Sequence, residues 1–184
     1  MEYKMNIAGF DRSLKLFPIS DDTMIAGFVI FGDTDLTTAA AEELLKLAPE
    51  YDYLLSAESK GIPLVHEMAR ISGRKKYFLA RKAAKLYMDG VFEVKVRSIT
   101  TAADQKLFLD GADAKLMEGK RILIVDDVIS TGESMNALEQ LVLKAGGIVA
   151  GRMAILAEGD AQSRDDIIFL EKLPLFNSDG TPKA

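Results

Sequence analysis

Two adjacent carboxylates, Asp126 and Asp127, follow the apolar run RILIV. With only Val128 and Ile129 between, they lead into a turn of Ser130, Thr131, Gly132, Glu133 and Ser134. Neighbouring anions repel unless something positive or hydroxylic meets them, so the pair predicts a ligand bearing such groups. The turn predicts a second chemistry. At the start of a helix the backbone N–H groups are unpaired, the helix dipole adds partial positive charge, and Gly132 lets a ligand approach the main chain. Together these describe a phosphate cradle ringed by hydroxyls. Ser130 and Glu133 also have the spacing of a capping box, which would explain the turn without a ligand. The two readings are compatible, because capping and phosphate binding use different N–H groups.

The elements around this stretch have to position it. Residues 122–125 are continuously apolar, as a strand covered on both faces should be, and the strand is expected to end where Asp126 begins. A helix follows, with Met135, Leu138, Leu141, Val142 and Ala145 on one face. The acid pair therefore falls at the carboxyl edge of a sheet, where open α/β folds bind ligands. Strand and helix patterns alternate elsewhere too. YDYLLSA reads as a strand, GIPLVHEMARISG as a helix with Pro63 in its first turn and Gly73 after its end, and KKYFLA and GIVAGRMAILA as further strands. Such alternation predicts a parallel sheet. Two regions depart from it. Between Val91 and Asp110 a hairpin is expected, with Phe92, Val94 and Val96 on one arm, Leu107 and Leu109 on the other, and a long flexible tip. The first fifty residues offer a helix at LTTAAAEELLKLAPE, stopped by Pro49, after a less regular, partly extended stretch. The tail FNSDGTPKA reads as disordered.

With 184 residues, 48% of them hydrophobic, the chain is long enough for one domain with a substantial core. It has no cysteine, which fits a reducing cytoplasm, and neither a signal peptide nor a membrane-length apolar span is expected. A net charge of -5 argues against a general nucleic-acid binder. Residues 60–85 nevertheless hold eight basic side chains against the single acid Glu67, which suits a small polyanion as ligand.

Several known site types can be set aside. RILIVDD resembles the opening strand of a receiver domain, but too little chain follows Asp127 for the rest of one. There is no P-loop, and GGIVAG leads into a strand rather than out of one, against a dinucleotide fold. The stretch ILIVDDVISTGES instead resembles, at every position, the phosphoribosyl pyrophosphate signature of type I phosphoribosyltransferases. AESKG (residues 57–61) resembles their pyrophosphate loop, and ARKAAK (residues 80–85) an element of the adenine-type members; the hairpin sits where the family carries a mobile loop.

That resemblance implies a doubly wound, mostly parallel α/β sheet with an N-terminal hood over residues 1–50, a core over 51–157 and a C-terminal segment over 158–184. It implies phosphoribosyl transfer from phosphoribosyl pyrophosphate to a purine base, adenine by preference, with Mg²⁺ carried mainly on the pyrophosphate and a homodimer as the assembly. The catalytic group would be Asp126, Asp127 and Arg81, and residues 130–134 would hold the ribose phosphate. Glu58, Ser59, Lys60, Gly61, Arg81, Lys82 and Lys85 would hold the pyrophosphate. Phe31, Val128 and Glu158 would meet the base, and Thr100, Thr101, Ala102, Ala103, Asp104 and Gln105 would form a lid. The sequence departs from adenine-type members in the hood, where AGFVIFGD has Gly32 in place of an arginine and one extra residue, and in the lid, which offers Asp104 instead of a glutamate. Glu158 also suits an exposed loop acid, and His66 a packed or surface histidine. The alternatives are another base (xanthine, guanine or hypoxanthine, or orotate) and a non-catalytic phosphoribosyl-pyrophosphate-binding regulator; regulators that resemble this core add a DNA-binding domain, and the first fifty residues give no helix-turn-helix signal.

Overall fold

The computed structural model describes residues 1–96 and 105–183. A five-stranded sheet, parallel throughout, lies at its centre in the order β10-β9-β8-β4-β5. Its first half runs from β4 (Tyr53–Ala57) through α2 (Ile62–Ile71) to the edge strand β5 (Phe78–Ala80). The second half runs from β8 (Arg121–Ile129) through α4 (Glu133–Lys144) to β9 (Ile148–Glu158), and β10 (Ile168–Leu173) forms the other edge. α2 buries Leu64, Val65, Met68 and Ala69 with Leu123 and Val125 on one face of the sheet. α4 buries Met135, Leu138, Leu141 and Val142 with Ile122 and Ile124 on the other. The central neighbours β4 and β8 thus send their helices to opposite faces, and the loops leaving them diverge. This is the switch point at which doubly wound sheets open a crevice.

Local chemistry accounts for these elements. The central strands are apolar at nearly every position because both faces are covered. Pro63 occupies the first turn of α2, where its missing N–H costs nothing, and Gly73, at φ +70° just past the end, takes the left-handed conformation that stops the helix. β8 runs further than expected. It continues through both aspartates to Ile129, because β9 pairs with it along that length, with Asp126 opposite Ala154 and Ile129 opposite Ala157. β5 is shorter than KKYFLA suggested, since only β4 lies beside it.

The predicted hairpin forms from β6 (Phe92–Val96) and β7 (Gln105–Leu109), with Phe92 opposite Leu109 and Val94 opposite Leu107. Of the six residues assigned to the lid, Gln105 opens β7, and the other five lie outside the described residues. A short helix, α3 (Gly111–Met117), follows.

Before the core, the chain is more regular than its sequence suggested. β1 (Glu2–Ile7), β2 (Phe10–Pro18) and β3 (Met24–Ala26) form an antiparallel sheet, and α1 (Thr34–Leu47) is capped by Asp33, which accepts from the Leu36 amide. The tail expected to be disordered is ordered. Phe176 is fully buried, exchanges two backbone hydrogen bonds with Met24 (2.8 and 2.9 Å) and packs edge-on against Tyr3, and a turn closes behind it through Gly180 N donating to Asn177 O. One buried aromatic anchors a segment whose composition is otherwise that of a loop. Among the described residues, no helix is long and apolar enough to cross a membrane.

Candidate active site

β4 and β5 stop together at the paired residues Ala57 and Ala80, while β8 and β9 run on. The step this leaves holds the acid pair. Asp126 and Asp127 are 7% and 4% exposed, and as consecutive strand residues they point to opposite faces. Asp126 Oδ1 accepts from the Asp127 amide (2.9 Å) and from Ser59 Oγ (3.3 Å). Burial pushes the Asp126 carboxyl up to about 7, with the Asp127 charge adding to it and the amide and hydroxyl donors opposing. Asp127 faces the hood. Lys60 Nζ stands 3.2 Å from its Oδ2 as an ion pair without hydrogen-bond alignment, and donates instead to the carbonyl of Phe28 at 2.7 Å.

On the Asp126 side, Val128, Ile129 and the turn 130–135 line a cup of about 40 Å³. The expected capping box does not form. The helix begins at Glu133 itself, so that residue is first in the helix rather than third, and the cap position falls to Gly132 at φ +80°, which has no side chain to offer. The Glu133 amide lies 3.4 Å from Thr131 Oγ1. What remains is a helix start with hydroxyls of Ser130, Thr131 and Ser134 around it, an arrangement that suits a phosphate-sized anion.

The opposite wall is the loop from β4 into α2. A Cβ on Gly61 would stand 2.7 Å from Ser56 Oγ and 3.0 Å from Asp126 Oδ1, so glycine is what allows α2 to start against the acid. Glu58 gathers the cations of the next loop. It pairs with Arg81 (3.0 Å) and Lys85 (3.9 Å) and accepts from the Lys82 amide (3.1 Å), and the Arg81 guanidinium holds its carboxyl below the usual range. Arg81 Nη1 also donates to Tyr87 OH at 2.6 Å. Its backbone exchanges two hydrogen bonds with Phe108 (2.7 and 2.8 Å), so the hairpin is rooted on this arginine. The structure therefore brings the 58–61 and 81–85 segments together.

Towards the hood, Phe31 is 57% exposed, and Asp33 is taken up by Arg12 through two hydrogen bonds (2.6 and 2.8 Å). Val128 is half-buried. Glu158 is the last residue of β9 rather than a loop acid; it is half-buried, and burial pushes its carboxyl up against the opposing pull of Lys60. His66 is exposed on α2 beside Tyr77 OH at 3.4 Å. The contributions of the Phe28 carbonyl, Ser56 and Tyr87 were not legible in the sequence. Phe28 meets Lys60 across 32 residues with a backbone oxygen, which carries no sequence signal.

Four buried side-chain polar atoms lack a hydrogen bond among the described residues, and three of them, Ser56 Oγ, Arg81 Nε and Asp127 Oδ2, belong to the residues around this crevice. An unsatisfied buried polar atom costs on the order of 1–3 kcal/mol; at Asp127 Oδ2 the Lys60 ion pair offsets that cost, and at this sheet edge it falls on Ser56 Oγ and Arg81 Nε.

Known proteins share this architecture. The hypoxanthine/guanine phosphoribosyltransferase of Methanotorris igneus is 31% identical over 154 residues, 83% of this chain and 76% of that protein. The adenine phosphoribosyltransferase of Bifidobacterium longum is 38% identical over 113 residues, 61% of this chain and 55% of that protein. Among solved structures, adenine phosphoribosyltransferase from Thermoanaerobacter pseudethanolicus superposes with a TM-score of 0.70 at 22% identity, over 86% of this chain and 95% of that one. The model of the phosphoribosyl transferase domain matches residues 34–175. That span takes in all five strands of the parallel sheet and both walls of the crevice, and the chain belongs to the phosphoribosyl transferase domain family.

Proposed function

We propose that the protein is a purine phosphoribosyltransferase that transfers the phosphoribosyl group of phosphoribosyl pyrophosphate to adenine. The observation that carries the reading is the buried acid pair set between a helix-start cup and a cationic loop. In this reading the cup at residues 130–134 takes the ribose phosphate, and Asp126 and Asp127 accept from the ribose hydroxyls. The diphosphate lies on Ser59, Lys60, Gly61, Arg81, Lys82 and Lys85, replacing Glu58 as the partner of Arg81 and Lys85. The bond from the anomeric carbon to the diphosphate oxygen breaks, the bond to the purine nitrogen forms, and the purine gives up the proton on that nitrogen. Positive charge on the ribose ring at the transition state is stabilised by the two carboxylates, in a site from which water is excluded.

Among the described residues, no group of three acidic or histidine side chains could cage a metal. An Mg²⁺ that arrives on the diphosphate would need only one or two protein oxygens, and Asp127 Oδ2 would supply one if Lys60, its ion-pair partner at 3.2 Å, gave way. Bound there, it would neutralise the leaving diphosphate.

For the base, Phe31, Val128 and Glu158 remain the residues assigned. A Glu158 carboxyl that burial keeps protonated to higher pH can donate to N1 of adenine while accepting from its amino group. Ionised, the same group suits the N–H donors of guanine, and the Methanotorris igneus relative named for hypoxanthine and guanine favours that second reading. The test offers adenine, hypoxanthine, guanine, xanthine and orotate with magnesium and phosphoribosyl pyrophosphate, and follows nucleotide formation. Adenine should exceed the oxopurines by orders of magnitude in kcat/KM. A guanine or hypoxanthine preference would overturn the adenine assignment and leave the transferase, and inertness of every base would overturn both.

A further inference from the structure

We infer that Arg164 is a further binding residue for the substrate's ribose phosphate, supplying the cup at residues 130–134 with the cationic side chain that the turn itself lacks. The inference rests on the proposed phosphate role of that cup. Arg164 follows the short 3-10 turn Gly159–Ser163 that leaves β9, so it comes from the opposite end of a connection the signature motif does not include. One edge of its guanidinium is fixed. Nε donates to Asp166 Oδ1 at 2.8 Å and Nη2 to Asp166 Oδ2 at 2.7 Å, a bidentate pair that sets the plane of the group. The remaining nitrogen, Nη1, lies directly over Gly132, and a Cβ placed there would collide with it.

Gly132 therefore answers two needs. Its positive φ starts α4, and its bare α-carbon makes room for a cation at the rim of the cup. Without Arg164, the cup offers an anion the amides and hydroxyls of residues 130–134, with the Asp126 and Glu133 carboxylates also in its lining and no cationic side chain. Asp166 neutralises part of the charge, and Arg152, held by Glu139 at 2.5 Å, stands behind it. The side chain is thus fixed by a carboxylate at its back, with Nη1 beside Gly132, a residue of the cup's lining. A charge delivered to an anion at a helix start by a pre-oriented guanidinium raises affinity for that anion in particular, and salt weakens the effect.

The experiment is calorimetry on the full chain and on Arg164→Gln and Arg164→Lys, with ribose 5-phosphate and, separately, magnesium pyrophosphate as probes at two salt concentrations. Arg164→Gln is expected to bind ribose 5-phosphate on the order of tenfold more weakly. Its affinity for magnesium pyrophosphate should be unchanged, the deficit should shrink at high salt, and Arg164→Lys should recover part of it. Equal ribose 5-phosphate affinity in the three proteins would overturn the inference, as would a parallel loss for both probes, which would mean that the site had merely loosened. Failure of the unsubstituted protein to bind ribose 5-phosphate at all would instead overturn the proposed role of the cup, and the inference with it.

Discussion

Asp126 is held against its ordinary ionisation by burial and by Asp127, and this has a sign that can be measured. Its folded-state value lies near 7, above the 3.8 of an unperturbed aspartate, so the folded protein binds a proton more tightly than the unfolded chain. The stabilisation from that proton is fully present below about pH 4 and is lost as pH rises through 7. Asp126→Asn should flatten the pH dependence of stability across this window, and at pH 8 should leave the ligand-free protein more stable by on the order of 2 kcal/mol while abolishing turnover. Urea unfolding at a series of pH values checks it; parallel profiles for the two proteins would refute it. Asp127→Asn should act on the chemistry. With its charge removed from beside the developing cation, kcat should fall by a factor equivalent to about 2.7–4 kcal/mol while phosphoribosyl pyrophosphate binding changes far less, as single-turnover and binding measurements can separate.

The elements that carry these residues differ in how much of them the sequence revealed. β4, α2, β8, α4 and β9 could be read because each has an unbroken apolar run or a clean helical stripe between Gly and Pro punctuation. The hood sheet could not: β1 alternates between exposed and partly exposed positions, and only Ile7 is fully enclosed, so its period carries almost no hydrophobic contrast. The acid pair and the cup stood out because strand, acids and turn are contiguous. The Glu58–Arg81 cluster depends on two parallel strands lying side by side, which the local pattern does not encode. That cluster also ties the hairpin to the site. Phe108→Pro would delete the N–H that donates to the Arg81 carbonyl at 2.8 Å and leave the side of β7 that faces β6 intact. We expect kcat/KM to fall roughly tenfold relative to a Phe108→Ala control, with a melting temperature within a few degrees of it. Equal kinetics in the two variants would show that the hairpin root does not position Arg81.

Across the whole molecule, the segments before and after the core are fastened to each other. Phe176 is enclosed against Tyr3 and hydrogen-bonded to Met24, and Lys183 Nζ reaches Thr23 Oγ1 at 2.6 Å. Phe176→Ala should therefore cost about 3–5 kcal/mol, a drop of roughly 10 °C in melting temperature for a domain of this size. It should also weaken base binding more than phosphoribosyl pyrophosphate binding, because the hood is what it releases. Differential scanning calorimetry and product inhibition by the nucleotide check the two parts separately. A small change in melting temperature would mean that the hood keeps its place without the tail.

The order of strands in the central sheet has a consequence for how the chain is made. Tyr53 pairs with Ile122, so β4, already bordered by β5, keeps an unfilled inner edge until β8 has been synthesised. At about 5–20 residues per second the ribosome leaves that edge, with Leu54 and Leu55 on it, waiting for several seconds. Open apolar edges recruit other nascent chains, and pairing at such sequence distance is intrinsically slow. Yield of soluble protein should thus depend on translation speed and on chaperone supply, and slowing synthesis over residues 58–120 should lower it.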